Sequence, residues 1–483
     1  MELSTLKKTA AQIFLCVLLG TPAFSQPVQK WDLRKCVEYA ILNNISVKQA
    51  DLQVRFANLD FLQSKSAKQP TANFNGNLGY SAGRNQDPTT FSLITTGYWF
   101  NSYSLQAGID LFNWFTKKNT VAVKELDLRA SEAGFEKAKN DISLNVAVAY
   151  LQVLLAREQT NLSRVQVGQT LAQLDITRKQ VDAGNLPELS AAQVESQLAT
   201  DSSNLIAAET SSQQLLLQLK ALLNLDAALP FDIESPPVEL VPVESLADLQ
   251  PDAVYALAMK NMPQQRMDEI KLNSARKSVE VARGSMYPTI SLFGSLGSTF
   301  NNKARAVISK TQVNTPIGNV TVNGSSYQVF PVSPFDFFTY GKQGYFSQLN
   351  QNFRQSVGLS VSVPILNGGS LRTNWERSKL TVKQVELENE SNSMTLKQDI
   401  YKAYTDAVAA VQKFNASKKS VETALKAYDF GKKRYDLGLL STFELLNLQN
   451  ALQTAKTQLL YVQYDYVFKL KLLEFQRGQG LKL

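Results

Sequence analysis

Histidine is absent from the whole 483-residue chain. It is the usual general base of catalytic triads and a common ligand of transition metals, so its absence excludes His-based triads and most transition-metal sites. The sequence also has no glycine-rich phosphate loop and no recognisable pair of catalytic acids in a pocket motif. These absences predict a protein that is not an enzyme and that holds no cofactor and no catalytic metal.

Cysteine is nearly as scarce, with two residues in the chain. Cys16 falls in a segment that we expect to be removed, which leaves Cys36 as the only cysteine of the mature protein. A single cysteine cannot form an intramolecular disulfide, and a lone cysteine near a helix start is expected to be inert. Disulfide bonds therefore contribute nothing to the predicted fold.

Residues 1–25 have the composition of an export signal rather than of a membrane anchor. Lys7 and Lys8 precede an apolar run at 13–20, and small residues follow before the predicted cleavage site. The run is far shorter than the ~20 residues that a spanning helix needs. Cys16 lies inside this run, too close to the lysines for a lipid-attachment motif. We therefore expect an exported mature chain that is not lipidated.

Positive charge is in modest excess, with a formal net charge of +8. The Lys and Arg residues are spread along the chain and form no dense run interleaved with aromatic residues. Such a distribution does not produce the basic patch on which nucleic-acid binding depends. No nucleic-acid partner is expected.

The second half of the chain repeats the first. Two offsets describe the repeat, 254 positions for the helical part (403 − 149) and 218 further upstream (261 − 43). The corresponding residues are Ala149-Tyr150 with Ala403-Tyr404, Asp182-Ala183-Gly184 with Asp436-Leu437-Gly438, Asn43 with Asn261, and Pro70 with Pro288. The pattern indicates an internal tandem duplication, with about 36 extra residues in the second copy (254 − 218).

The duplication sets the expected domain boundaries. Repeat 1 spans 26–225 and repeat 2 spans 251–483, each in the order helix, strand, strand, long helix, tip, helix. A proline-rich connector, 226–250, separates them. The extra residues of repeat 2 fall near 300–350, a segment rich in Asn, Gly, Pro and aromatic residues, where we predict a long external surface loop.

Heptad spacing predicts two long helical hairpins. From Ile400 to Tyr435, apolar and aromatic residues recur at alternating spacings of four and three, the pattern by which one helix packs along another. Gly438 then provides the left-handed residue that ends a helix, and a second seam starts at Leu445. Two long helices joined by a glycine turn must run antiparallel, so the region is a hairpin with an exposed tip. The first copy has the same hairpin around Gly184.

Helix length favours a rod or a tube over a compact bundle. A long helix of roughly 67 residues at ~1.5 Å per residue spans ~100 Å. Helices of globular proteins average three or four turns. A shorter helix is predicted over 32–68, and Pro70 ends it.

Four segments alternate apolar with small or polar residues and predict strands, and they are 71–82, 103–111, 290–296 and 357–365. The segment 83–88 between the first two is rich in turn residues. Alternating strands of about ten residues match the tilted strands that cross an outer membrane. Four strands cannot close a barrel, and an open edge in lipid leaves backbone groups unpaired. Two copies would give eight strands and three would give twelve, and the wider barrel favours three because it leaves an aqueous lumen.

Several local motifs occur along the chain. They are Tyr287-Pro288 at a strand start, 363–369 (Val-Pro-Ile-Leu-Asn-Gly-Gly) before a long helix, 84–89 (Arg-Asn-Gln-Asp-Pro-Thr) in the first external loop, and 435–438 followed by 442–447 at the second tip. With this order, spacing and duplication, essentially the whole mature chain resembles the TolC-like outer-membrane efflux protein family, the outer-membrane factors of tripartite efflux and secretion systems.

The resemblance implies both a fold class and a function. The fold class is an α+β membrane protein: a trimeric twelve-stranded transmembrane β-barrel, with four strands per protomer, continuous with a long α-helical coiled-coil periplasmic tube. A homotrimer in outer-membrane lipid would passively conduct small molecules to the exterior, receiving them from a periplasmic adaptor protein and an inner-membrane pump.

The resemblance also assigns candidate site residues. Tyr435 matches the tip tyrosine of the family, and Glu444 and Asn447 match positions of the periplasmic gate. The helical tips expected to dock the adaptor are Gly184, Asn185 and Leu186, together with Gly438, Leu439 and Leu440. The sequence departs from the family at Leu440, where some members have an arginine, and at Ser190, where the first tip has an acid.

These departures predict a gate with fewer ion pairs, in which Glu444 forms the lone ring of charge. Three carboxylates drawn close repel one another, which would make a cation-selective or proton-sensitive constriction. Glu444 fits a purely structural role equally well, because an acid in the first turn is favoured by the helix dipole.

Two other functions stay open at this point. One is an outer-membrane conduit for polypeptide secretion, since the same tunnel serves either cargo. The other is a non-channel structural coiled-coil protein of the cell envelope, which leaves the four alternating strands without a purpose.

Overall fold

A computed structural model describes residues 30–86, 91–235 and 246–478. The predicted signal peptide, residues 87–90 of the first external loop, residues 236–245 of the connector and the last five residues of repeat 2 lie outside the described residues. The chain divides into two compact units. Unit 1 is the described part of Met1–Ala57, Asp127–Leu272 and Gln384–Leu483, and unit 2 is the described part of Asn58–Leu126 and Asn273–Lys383.

Four helices occur in the same order and with the same lengths in both halves of the chain, and the second half has one additional short helix among the described residues. Their bounds are α1 Leu33–Asn43, α2 Ile45–Ser66, α3 Thr116–Asp182, α4 Glu188–Leu222, α5 Pro251–Asn261, α6 Pro263–Gly284, α7 Tyr345–Gln351, α8 Ser370–Asp436 and α9 Thr442–Gln476. Helices α1 to α4 contain 11, 22, 67 and 35 residues, and α5, α6, α8 and α9 repeat these lengths. Of the helices described here, none is long and apolar enough to span a membrane.

The helix predicted over 32–68 is two helices, because Asn44 interrupts it. The Asn44 backbone is extended, its Oδ1 accepts a hydrogen bond from the Ser46 N–H at 2.8 Å, and its Nδ2 donates to the Leu222 carbonyl at 2.8 Å. Asn44 therefore caps α2 and ties it to the end of α4. In the second half Met262 is extended before Pro263, because a residue that precedes proline is disfavoured in the α conformation.

The strands are β1 Lys30–Trp31, β2 Thr71–Gln86, β3 Leu93–Phe112, β4 Asp232–Ile233, β5 Thr289–Asn301, β6 Arg305–Val313, β7 Gly318–Val322, β8 Ser325–Val329, β9 Phe335–Lys342 and β10 Arg354–Ser362. Four of them form the antiparallel sheet of unit 2, in the order β10-β5-β3-β2. These are the four strands that the alternation predicts.

Each face of this sheet has its own chemistry, as the alternation requires. Cross-strand pairing places Asn73, Gln106, Ser295 and Ser356 in one row, and the Ser295 and Ser356 hydroxyls are 2.8 Å apart. The opposite face carries apolar rows such as Ile109, Leu292 and Leu359. One face is therefore polar and the other apolar.

Strands β2 and β3 are longer than predicted. The turn predicted from residue 83 starts too early, since Arg84 pairs with Thr95 and Gln86 pairs with Leu93. A partner strand that continues the backbone ladder outweighs the low strand propensity of Asn, Gln and Gly. The paired strands therefore extend as far as Gln86 and Leu93.

The predicted surface loop near 300–350 contains regular structure. Strand β6 pairs with β9, β7 pairs with β8 inside that pair, and α7 follows. Asn323 and Gly324 join β7 to β8, and both have positive φ (51° and 81°). An Asn-Gly pair with this geometry is a strong hairpin signal, and it accounts for the β7–β8 hairpin within this exposed segment.

In unit 1, strand β1 and helix α3 of the first repeat contact the start of the connector. Strand β1 pairs in parallel with β4, and the Tyr150 hydroxyl donates to the Glu234 carbonyl at 2.7 Å. Arg157 donates to the Ile233 carbonyl at 2.8 Å and pairs with the Asp232 carboxylate. Side chains of α3 therefore hydrogen-bond to β4 and to the residue after it, just after the end of repeat 1.

Cys36 is fully buried in the same core. Burial raises the pKa of its thiol to about 12. The thiol therefore stays protonated at neutral pH, which makes it a poor nucleophile.

The heptad seam of α8 is only partly covered within the single chain. Ile400 and Ala407 are buried, and so is Tyr435 at the other end. Phe414 is half-buried and stacks on Tyr466 of α9, with ring centroids 5.6 Å apart. Helix α9 therefore covers part of the middle stretch, whereas Lys418 and Leu425 are exposed.

Tyr150 and Tyr404 occupy corresponding positions of the two repeats and provide a matched test. Burial holds the pKa of Tyr150 above its ordinary value, so its hydroxyl is a constant donor. We expect Tyr150→Phe to destabilise the protein by about 1 kcal/mol, because the Glu234 carbonyl loses its donor. Tyr404→Phe should have little effect, since the Tyr404 hydroxyl has only a 3.4 Å contact with Gln250. Thermal unfolding followed by circular dichroism measures both, and an equal or larger loss in Tyr404→Phe contradicts this account.

Candidate gate and docking tips

The two long hairpins end in the same turn. In the first, the Gly184 N–H donates to the Val181 carbonyl at 2.8 Å and the Asn185 N–H donates to the Gln180 carbonyl at 2.9 Å. Gly184 has a φ of 75°. This pair of hydrogen bonds is the Schellman motif, which satisfies the last carbonyls of α3 and reverses the chain.

The second tip repeats this geometry between α8 and α9. The Gly438 N–H donates to the Tyr435 carbonyl at 2.9 Å, and the Leu439 N–H donates to the Arg434 carbonyl at 2.8 Å. Gly438 has a φ of 73°, in the left-handed region that favours glycine. Both predicted turns are therefore present in the structure.

The residues expected to dock an adaptor lie at these turns. Gly184, Asn185, Gly438 and Leu439 are exposed, whereas Leu186 and Leu440 are half-buried. Apolar side chains are exposed beside them, and these are Leu189, Leu437, Leu439 and Phe443. The tips therefore present apolar side chains around polar turns, a composition suited to contact with another protein.

Glu444 closes a capping box at the start of α9. Its Oε2 accepts hydrogen bonds from the Ser441 N–H at 3.0 Å and from the Ser441 hydroxyl at 2.8 Å, and its own N–H donates to the Ser441 hydroxyl at 3.2 Å. These contacts satisfy backbone donors that a helix start leaves free. The sequence signal is the Ser-x-x-Glu spacing, which our sequence reasoning missed although it did identify an acid in the first turn.

The same contacts set the charge state of Glu444. Hydrogen bonds from the Ser441 backbone and side chain lower the pKa of this carboxyl, and the Arg434 guanidinium lowers it further. Glu444 therefore carries its negative charge at any pH near neutral. In the single chain, Arg434 is the positively charged residue that contributes to lowering this pKa.

Two of the three predicted gate residues lie on one surface and the third does not. Glu444 and Asn447 are exposed and three positions apart, so they share a face of α9. Tyr435 is buried, and its hydroxyl has no hydrogen-bond partner among the described residues. Tyr435 is thus packed inside the hairpin in this structure.

Both departures from the family lie at inward-facing positions. Leu440 is half-buried, and a methyl group built on Gly431 of α8 would lie 3.6 Å from its Cδ2. Ser190 is buried on α4. These positions therefore pack against the hairpins and carry no charge.

Sequence reasoning missed a buried polar network further from the tips. Asp201 of α4 accepts hydrogen bonds from Thr170 at 2.7 Å, Gln166 at 3.3 Å and Gln197 at 2.8 Å. Helix α9 joins it through Gln449, which donates to the Thr170 hydroxyl at 3.2 Å, and a second contact runs from Asn450 to Gln197 at 3.1 Å. We call these six side chains the Asp201 network. It connects the two hairpins, and no local spacing in the sequence announces contacts over such separations.

Metal-ligating residues do not cluster in the part of the chain that the structure describes. No group of three or more His, Cys, Asp or Glu side chains there could hold a metal ion. The tips offer hydrogen bonding, apolar contact and the charges of exposed side chains such as Glu444, Asp182 and Asp436.

Comparison with known proteins gives consistent matches. The sequence model of the family described as outer membrane efflux protein matches residues 37–225 and 254–474. Outer membrane efflux protein BepC of Brucella suis is 22% identical over 453 residues, covering 93% of this chain and 86% of that protein. Outer membrane protein TolC of Escherichia coli is 21% identical over 455 residues, covering 93% and 82%. A crystal structure of CusC, reported in connection with transmembrane channel formation, has a TM-score of 0.74 at 17% identity and covers 95% of this chain and 96% of that chain.

The glycines of the two turns provide the first test of the tips. We expect Gly184→Ala and Gly438→Ala each to destabilise the protein by ~1–2 kcal/mol, because a Cβ is strained in the left-handed conformation. The matched control is Gly168→Ala inside α3, where a Cβ meets open space, and this change should stabilise by ~0.5–1 kcal/mol. Thermal unfolding, with limited proteolysis at the tips, distinguishes the two classes. Tip variants as stable as Gly168→Ala contradict the assigned turns.

Glu444 should titrate below the ordinary range of a glutamate. A lowered folded-state pKa means that the capping box stabilises the protein above the unfolded-state pKa and loses this contribution as the pH falls through the folded-state value. Carbon NMR titration of the glutamate carboxyls measures this pKa, with Glu444→Gln identifying the signal. Ser441→Ala should move the pKa up toward its usual value, and an ordinary pKa in the unaltered protein is the result that refutes the capping box.

Proposed function

The chain belongs to the outer membrane efflux protein family, and from this membership we propose that it is the outer-membrane channel of a tripartite efflux pump. Members of this family are channels of the outer membrane rather than enzymes. In the proposed role the protein passively conducts small molecules from a periplasmic adaptor and an inner-membrane pump to the exterior. The observation that carries the proposal is the two-faced sheet of unit 2, with an apolar and a polar side and two open edges.

The apolar face of the sheet suits contact with lipid. Phe74 and Val357 on this face are 68% and 79% exposed in the single chain. Apolar side chains left this exposed in water are costly, whereas the hydrocarbon of a membrane solvates them. If the protein were a structural rod of the periplasm, the apolar face of the sheet would have no lipid to contact.

The two open edges suit assembly with further copies of the chain. Among the described strands, β2 and β10 each pair on one side only. A strand edge in lipid must be paired because no water reaches its N–H and C=O groups. Joining β10 of one copy to β2 of the next continues the sheet, and three copies close a barrel of twelve strands.

The polar face would then line the lumen. Its side chains are mainly Asn, Ser, Gln and Gly, as in the row from Asn73 to Ser356. Amide and hydroxyl groups hydrogen-bond to solutes of either charge, without the selectivity that a ring of like charges imposes. Asp110 and Arg354 are charged residues that the strand register places on the same face.

The long helices also have surfaces suited to neighbouring copies. Leu171 and Ile176 of α3 and Ile206 of α4 are at least half exposed in the single chain, and Lys418 and Leu425 of the α8 seam are exposed. Helices from adjacent copies would bury these side chains and complete a periplasmic tube. The exposed apolar side chains at the tips would then meet the adaptor.

Glu444 and Asn447 are proposed as the constriction of that tube. They share an exposed face of α9, and the capping box keeps Glu444 ionised. In a closed trimer, three such carboxylates would form a ring that attracts cations and repels anions. The structural role of Glu444 in the capping box and this role in the gate are compatible, because one carboxylate oxygen accepts both Ser441 hydrogen bonds.

Single-channel recording of the purified protein in planar bilayers tests the proposal. We expect small, cation-preferring currents, and Glu444→Gln should abolish the preference while keeping the shape of the capping side chain. The matched control is Glu422→Gln on α8, which removes an exposed carboxylate hydrogen-bonded to Lys419 and Lys426 at 2.9 Å each. This control should leave the ion preference unchanged.

Three other outcomes change the conclusion. Identical currents in Glu444→Gln and the unaltered protein would keep the channel and remove Glu444 from the gate. Equal effects of Glu422→Gln and Glu444→Gln would assign the preference to overall charge. Folded, membrane-inserted protein that carries no current would overturn the channel and favour the structural rod.

A further inference from the structure

A polar groove of about 820 Å³ lies between α3, α4 and α9, entirely within unit 1. Amide and hydroxyl side chains make up most of its lining, with a few aliphatic residues and one tyrosine. Asp201, a member of the Asp201 network, is the one charged residue in the lining. The groove therefore combines many neutral hydrogen-bonding groups with a single negative charge.

The Asp201 carboxylate is buried without a positive partner. Its side chain belongs to a residue that is 5% exposed, and its three hydrogen-bond donors, Thr170, Gln166 and Gln197, are all neutral. No Lys or Arg of the described chain lies within ion-pair distance of it. Burying a carboxylate costs free energy unless a positive charge compensates it, and the neutral donors do so only partly.

Gln159 adds an acceptor without a hydrogen-bond partner among the described residues to the same groove. Its Oε1 is buried and receives no hydrogen bond from the described residues. Gln159 precedes Gln166, which contacts Asp201, by seven positions on α3, or about 10 Å along the helix axis. The lining between the two positions includes the small side chains of Ser163 and Ala208. This part of the groove therefore has the Asp201 carboxylate at one end, the Gln159 Oε1 acceptor at the other and small side chains between them.

We propose that this groove binds a linear organic cation of the polyamine class. One ammonium group would pair with Asp201, a second nitrogen about 10 Å away would donate to Gln159, and the methylene chain would lie along the small side chains between them. Both groups accept hydrogen bonds and Asp201 also carries a negative charge without a positive partner, so a donor-rich cation fits where an anion does not, and it supplies the charge that a neutral sugar lacks. The inference goes beyond the proposed channel function and does not depend on it, because it concerns binding to the helical wall of a single chain.

Isothermal titration of the full-length protein in detergent tests the site, with spermidine as a probe whose terminal ammonium groups are roughly that far apart. Butylamine, which has one ammonium group, serves as the shorter probe. We expect saturable spermidine binding that weakens about tenfold in Asp201→Asn, the loss of one desolvated charge pair. The matched control is Asp175→Asn on α3, where an exposed carboxylate pairs with Lys179 at 2.6 Å, and its affinity should be unchanged.

A second variant keeps the test decisive if Asp201→Asn disturbs the network. Gln159→Leu removes the unpartnered acceptor without breaking a described hydrogen bond, so the fold should be preserved. This change should weaken spermidine several-fold and leave butylamine binding unchanged. Absence of saturable spermidine binding, equal affinities in Asp201→Asn and Asp175→Asn, or unchanged spermidine affinity in Gln159→Leu would each overturn the proposal.

Discussion

Pairing of backbone groups at the edges of the four-stranded sheet is the constraint on which the rest of the structure depends. Strands β2 and β10 each pair on one side only. In the proposed contact with lipid, no water reaches the free N–H and C=O groups of these two edges, so they need another strand as a partner. In the proposed membrane role, a chain with four such strands would complete its sheet only by pairing with further copies. The exposed Lys418 and Leu425 of the α8 seam and the exposed apolar side chains of α3 and α4 fit the same proposal in the helical part.

The four repeated helices have equal lengths in the two halves of the chain, so the same arrangement of helices is built twice. Each half contributes helices of 11, 22, 67 and 35 residues, so the two hairpins match in length and their tips end in the same turn. The halves differ where length is unconstrained, in the segment that forms β6 to β9 and α7. A change of one residue in a long helix rotates its seam by about 100°, whereas an insertion between strands leaves the seams untouched.

Periodic features of the fold were predictable from the sequence, and features set by contact were not. Alternation identified the four strands and Gly438 identified a tip, because each signal is local and repeated. The break at Asn44 was missed because its backbone is stabilised by the distant Leu222 carbonyl, and the extension of β2 to Gln86 depends on its partner strand. At the candidate site, the Ser441 capping box was readable from its spacing. The burial of Tyr435 and the Asp201 network were not, since they arise where separate helices pack.

The position of the Asp201 network limits how the hairpins move. Thr170 lies fourteen residues before Gly184, about 21 Å along α3, and Gln449 and Asn450 of α9 fasten the second hairpin there. The apolar cluster of Leu174, Val194 and Leu446 packs between this point and the tips. Displacing α9 beyond the cluster leaves the hydrogen bonds intact. Displacing α9 at Gln449 breaks the hydrogen bond that Gln449 donates to the Thr170 hydroxyl, which itself donates to the buried Asp201. Loss of this hydrogen bond from a buried network raises the free-energy cost of the motion. The proposed gate at Glu444 would therefore open at least cost by movement of the last turns of the hairpins, while the Asp201 network stays in place.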